Sequence, residues 1–190
     1  MRVHPMELPG VLLVEPHVHR DARGFFLETW HQERYRSLGI GESFVQDNHS
    51  CSAAGVVRGL HAQVQRPQAK LVRCASGRIF DVCVDIRRGS PTFGHHVAVW
   101  LDGDSHKQLF VPAGFAHGFC AVEGPAHVEY KCSAPYDPDD EITIAWDDPD
   151  LAIPWPVGRP RLSEKDGAAP RLREFGDRLP VFQAEDGRPR

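Results

Sequence analysis

His61 closes the run Arg58-Gly59-Leu60-His61. Histidine is the side chain whose unperturbed pKa lies nearest neutrality, so His61 is the natural general base wherever a weakly acidic proton must be moved. A histidine near a strand end is more often structural. Most of the 11 histidines, including His17, His19, His31, His95 and His106, take that reading. Tyr130 lies in the alternating stretch His127 to Cys132 and shares a side with Val128 and Cys132, which aims its hydroxyl into the interior of a barrel.

These residues need a scaffold of short strands. Val11 to Val14 is an apolar run between Gly10 and Pro16, and reads as a strand. Thr29 to Leu38 is helix-forming and stops at Gly39. Further strand-like runs follow at Lys70 to Cys74, Arg78 to Arg87, Val97 to Leu101, Gln108 to Val111, Phe119 to Val122, His127 to Cys132 and Glu141 to Ala145. In Arg78 to Arg87, Phe80, Val82, Val84 and Ile86 alternate with Ile79, Asp81, Cys83 and Asp85, which makes one face apolar and the other mixed. The two carboxylates are expected to line a wet cavity. Many short strands with Gly and Pro punctuation imply an all-β antiparallel sandwich or barrel, and jelly roll is the commonest way to close such a set, so an antiparallel jelly-roll barrel with a few short peripheral helices is expected. Residues 1–190 read as one domain, with 156–190 a packed C-terminal tail carrying a short helix near Pro170 to Phe175.

Composition narrows the function classes. The net charge is -4 and the arginines are scattered, so a nucleic acid partner is not expected, whereas a locally basic pocket for a small anion is compatible. The five cysteines contain no C-x-x-C pair and read as small buried hydrophobes in a reducing cytoplasm. No membrane span is expected.

Five stretches, in order, resemble the dTDP-4-dehydrorhamnose 3,5-epimerase family: DARGFFLE at 21–28, QDNHS at 46–50, RGLH at 58–61, PAGFAHGF at 112–119 and SEKD at 163–166. GSPTFG at 89–94 and Glu129-Tyr130-Lys131 lie between them and are similar too. The resemblance implies a cupin-like jelly roll that inverts carbons 3 and 5 of a dTDP-4-keto-6-deoxyhexose, without cofactor or metal. A proton next to a ketone is so weakly acidic that its removal needs a positioned base, a stabilised enolate oxygen and a donor on the opposite face. The resemblance assigns His61 as base, Asp166 as its orienting carboxylate, Tyr130 as acid and Lys70 as the cation beside the keto oxygen. It places Arg23 and Arg58 on the diphosphate, and Glu28, Gln46, Asp47, Asn48, His117, Glu141 and Lys165 in further substrate contacts. Phe26 and Tyr136 are candidates for an aromatic platform under the base. A homodimer that exchanges an N-terminal strand is also implied, with Val11 to Val14 as the candidate strand. Ala62 departs from the family pattern, which has an aromatic residue after the histidine, and the departure is expected to bear on positioning of the sugar.

Three other readings compete. A single-centre epimerase of the same family keeps the same histidine and tyrosine. A metal-dependent cupin enzyme would use Pro112-x-Gly114-x-x-His117 as half of its ligand signature, but His61-Ala62-Gln63 offers one imidazole and one amide where a His-x-His pair is required. A non-catalytic sugar-binding jelly roll would have no use for His61, Tyr130 and Asp166 together.

Overall fold

The computed structural model describes residues 1–183. Among the described residues are eleven strands: β1 (Arg2–Pro5), β2 (Leu12–Glu15), β3 (Val18–Asp21), β4 (Gly24–Leu27), β5 (Gln46–Ser52), β6 (Val57–Gln63), β7 (Lys70–Asp85), β8 (His96–Asp102), β9 (Gln108–Val111), β10 (Phe115–Cys132) and β11 (Glu141–Thr143). Two short helices, α1 (Gln32–Ser37) and α2 (Glu164–Gly167), and a 3-10 stretch at Leu172–Arg178 lie at the periphery. The strands pair antiparallel in the order β1-β2-β9-β7-β10-β6-β11, with β5 also on β10 and β8 also on β7, and β3 and β4 form a separate hairpin. No described helix is long and apolar enough to cross a membrane.

The spine is the pair β7 and β10. Alternation along β7 decides what lies on either side of it. Phe80, Val82, Val84 and Ile86 join a core cluster that includes Leu172, Phe175 and Leu179 of the tail, whereas Ile79 and Cys83 face the barrel interior with Val72 and Cys74. Burying each large tail side chain is worth roughly 1.5–3 kcal/mol, so the apolar face of β7 holds the tail in place. Residues 184–190, the end of the expected 156–190 tail, lie outside the described residues.

The interior parity changes from even residues (Val72, Cys74) to odd ones (Ile79, Cys83) along β7, and the register with β10 shifts over the same region. Lys70 to Cys74 and Arg78 to Arg87 are therefore parts of one bent strand rather than two strands. Phe119 to Val122 and His127 to Cys132 are likewise joined in β10. Gly77 makes the bend: its φ is 80°, and a Cβ there would lie 2.5 Å from the Glu123 carbonyl oxygen. Turn-forming residues here serve a kink, not a chain reversal.

Other differences also have local causes. The helix expected over Thr29 to Leu38 contracts to α1 because His31 caps it, its Nδ1 accepting from the Arg34 amide, and Gly39 (φ 95°) ends it. Strands β5 and β6, which carry much of the site, lack the apolar alternation that would mark them. Asp85 does not open onto a cavity. It is fully buried and accepts from Arg87, Ser90 and Thr92, pinning the loop after β7. The Val11 to Val14 segment lies in its own chain's sheet, where β2 pairs with β1 and β9, and is not free for exchange in this conformation.

The close approach at Gly77 predicts that Gly77→Ala will destabilise the fold by roughly 2–4 kcal/mol, because both φ and space disfavour a Cβ. Urea unfolding followed by circular dichroism measures it, and an unchanged midpoint would refute it.

Candidate active site

Two glycines set the site. Gly59 has φ 103°, and a Cβ on it would lie 2.7 Å from both Gly118 Cα and the His117 carbonyl oxygen, while a Cβ on Gly118 would lie 2.7 Å from the Arg58 carbonyl oxygen. The RGLH and PAGFAHGF runs thus touch at their glycines, and this close approach places His61 opposite His117 in the β6–β10 register.

His61 is oriented from the tail. Its Nε2 lies 2.7 Å from Asp166 Oδ1, and the other carboxylate oxygen of Asp166 accepts from the Ser163 hydroxyl at 2.7 Å. Burial pushes the Asp166 carboxyl up, but hydrogen bonds from His61 and Ser163, the attraction of His61 and the Gly59 amide outweigh it and hold the pKa below the usual range. The ionised carboxylate fixes the proton on Nε2. Nδ1 is left as the basic nitrogen, 3.9 Å from Glu141 Oε1.

A cavity of about 150 Å³ opens beside this pair. Arg58 and His61 line it from β6, Lys70 from β7, His117 and Tyr130 from β10, and Asn48 from β5, with Tyr136 and Glu141 at the rim. Burial, then the nearby Cys132 and Glu141, push the Tyr130 phenol up, so it keeps its proton and can act as a donor at neutral pH. Burial pulls Lys70 below the usual ammonium range, against the opposing pull of Cys132, Glu141 and Asp81. The Lys70 proton is consequently loosely held and well suited to share with an oxygen acquiring charge. Glu141 accepts from the Tyr136 hydroxyl at 3.1 Å and from Lys165, which ties three of the expected residues together at the mouth.

Some expected contacts are indirect or absent within one chain. Gln46 accepts from the Tyr136 amide at 2.8 Å and donates to Asn48 at 3.0 Å, so it supports the cavity wall. Asp47 turns to the other face of β5, where Lys131 donates to it at 2.9 Å. On the hairpin side, Arg23 pairs with Asp21 and Glu28 with Arg34, while Phe26 is 71% exposed. None of these three lines the cavity. Ala62 faces away from it into the apolar core with Leu60, so the small side chain does not touch the sugar position.

Asp81, expected with Asp85 to line a wet cavity, is instead sealed behind His117. It is fully buried, and both its oxygens bond His117 Nε2, at 2.9 and 3.0 Å. The signal was available, because a carboxylate on the interior face of a strand needs a partner. Gln63 is occupied too: its amide donates to the Arg66 and Pro135 carbonyls and accepts from the Asp137 amide.

The fold and the cavity define a cupin-like jelly roll with an acid–base centre. A family model described as dTDP-4-dehydrorhamnose 3,5-epimerase matches residues 5–174. The chain is 48% identical over 168 residues to the dTDP-4-dehydrorhamnose 3,5-epimerase of Pseudomonas aeruginosa, covering 87% of this chain and 93% of the relative. A dTDP-6-deoxy-D-glucose-3,5-epimerase from Legionella pneumophila, solved in complex with dTDP-4-keto-L-rhamnose, superposes with a TM-score of 0.94 at 46% identity over 96% of this chain and 99% of that one. A 3'-monoepimerase from Streptomyces bikiniensis, solved with dTDP-quinovose, has a TM-score of 0.89 at 35% identity over 95% and 93% of the two chains. The chain belongs to the dTDP-4-dehydrorhamnose 3,5-epimerase family.

The Asp81–His117 contact predicts that Asp81→Ala, which leaves a buried imidazole without its acceptor, will cost roughly 1–3 kcal/mol of stability. Asp81→Asn, whose amide oxygen still accepts, should cost less. Equal unfolding midpoints for wild type and Asp81→Ala would contradict the assignment.

Proposed function

We propose that the protein inverts carbons 3 and 5 of dTDP-4-keto-6-deoxyglucose to give dTDP-4-keto-L-rhamnose. The observation that carries this is the His61–Asp166 pair opening onto the cavity that Tyr130 and Lys70 also line. His61 Nδ1 takes the proton from the carbon next to the ketone, and Asp166 stabilises the imidazolium that forms. Lys70 donates to the keto oxygen as the enolate charge develops. Tyr130 returns a proton to the opposite face. Arg58 binds the diphosphate, with Asn48, His117, Tyr136, Glu141 and Lys165 as further contacts. The reaction uses no metal or cofactor, because where a cupin metal centre requires a His-x-His pair this chain has His61 and Gln63, and the Gln63 amide is spent on Arg66, Pro135 and Asp137. Turnover should accordingly survive chelation. The five free thiols, four of them buried, suit a reducing cytoplasm. Likeness to the 3'-monoepimerase supports a second reading in which one centre is inverted.

Deuterium wash-in from solvent, followed by NMR together with product stereochemistry, separates these readings. Label at both carbons flanking the ketone is expected, and label at carbon 3 alone would select the single-centre reading. His61→Asn should abolish exchange at both positions. Tyr130→Phe leaves His61, Asp166 and Lys70 intact, so exchange should persist while epimer yield falls by ~100-fold to 10,000-fold. A fully active Tyr130→Phe, or exchange surviving in His61→Asn, would overturn the residue roles.

We further propose a homodimer in which the β3–β4 hairpin of a second copy delivers Arg23 and Phe26 to the cavity. Phe25 and Phe26 are 54% and 71% exposed, an unusual state for two adjacent aromatic residues unless they meet a partner. Light scattering should give about twice 21.2 kDa at micromolar concentration, and a stable monomer would refute the arrangement.

A further inference from the structure

A second reactive cluster lies on the other face of β5, independent of the epimerase reading. Asn48 and Ser50 of β5 line the catalytic cavity, so the alternate residues His49 and Cys51 face away from it. Cys51 pairs in register with His127 of β10, and its sulfur lies 3.6 Å from His127 Nε2. His127 Nδ1 is in turn 2.9 Å from His49 Nε2. One arrangement of protons satisfies all three groups: the Cys51 thiol donates to His127 Nε2, and His127 Nδ1–H donates to His49 Nε2. This order of thiol, proton acceptor and orienting group is the one that activates a nucleophilic sulfur.

The neighbouring charges are already engaged. Glu129, opposite His49, accepts from Arg73 at 2.9 Å, and Asp47 is held by Lys131. The Arg58 guanidinium, on the cavity side of the strand, donates to the Cys51 carbonyl at 3.4 Å and leaves the thiol to His127. Selectivity follows from burial. Cys51 is exposed and the other four cysteines are buried. Burial pushes the thiols of Cys74 and Cys120 up to about 11, and those of Cys83 and Cys132 also rise.

We propose that Cys51, with His127 as its proton acceptor and His49 behind it, is a modification site that undergoes exchange with low-molecular-weight disulfides. His127 takes the thiol proton, the Cys51 thiolate attacks one sulfur of the disulfide, and the sulfur–sulfur bond breaks. The leaving thiolate takes the proton back from His127. One protein thiol is oxidised to a mixed disulfide as one disulfide is reduced to mixed disulfide plus thiol, so no other oxidant is needed.

Oxidised glutathione mixed with the native protein at pH 7, followed by intact-mass measurement and peptide mapping, tests this. One adduct per chain is expected, on Cys51, and it should form at least ~10-fold faster than on a cysteine in an unstructured peptide, which is only a few per cent ionised at that pH. Cys51→Ser should give no adduct and keep full turnover. His127→Asn should fall to the peptide rate. His49→Gln, which can still accept from His127, should react several-fold faster than His49→Ala. No adduct on the folded wild type, an adduct on another cysteine, or a wild-type rate no greater than that of the peptide would overturn the proposal. So would a folded His127→Asn that reacts as fast as the wild type.

Discussion

The contact between His61 and Asp166 joins strand β6 to the four-residue helix α2, 105 positions later in the chain. A carboxylate that is 5% exposed is stable only if its charge is met by donors, and His61, Ser163 and the Gly59 amide meet it. The basic nitrogen of His61 depends on that carboxylate, because without it either ring nitrogen can hold the proton. The Asp166 position depends in turn on the tail. The tail is seated by Leu172, Phe175 and Leu179 against the apolar face of β7, so ordinary hydrophobic burial delivers the orienting group to the base.

The same strand separates two environments. One face of β7 closes the tail core, and the other presents Asp81, Cys83 and Asp85 to the interior. Each buried carboxylate there is bonded, Asp81 to His117 and Asp85 to the loop after β7. Lys70, at the start of the strand, has no such ion pair among the described residues, and its burial away from water is what loosens its proton. Cavity chemistry and fold stability are thus two results of a single alternation.

The glycines of β6 and β10 impose a tighter constraint than the hydrophobic pattern does. Gly59 and Gly118 let the two strands approach until a Cβ on either would meet backbone at 2.7 Å. His61 and His117 stand side by side as a result. Beyond this junction β10 leaves β6 for β5, and Tyr130 and Asn48 enter the same cavity from the second half of the long strand.

The chain's own sequence determined the antiparallel jelly roll, the division of β7 into an apolar and a mixed face, and the motifs that contain His61, Tyr130 and Asp166. Those features depend on residue type and local period, which a sequence displays directly. It concealed β5 and β6, because strands that line a wet cavity carry polar residues where alternation would otherwise mark them. It also split β7 and β10 at glycines that kink a strand as readily as they end one. Only the tertiary structure decided that Asp81 belongs to His117, that Asp47 and Ala62 face away from the cavity, and that Arg23, Phe26 and Glu28 lie outside it within one chain. Each of these turns on which strands are neighbours and in what register, and that is fixed by packing between residues far apart in sequence.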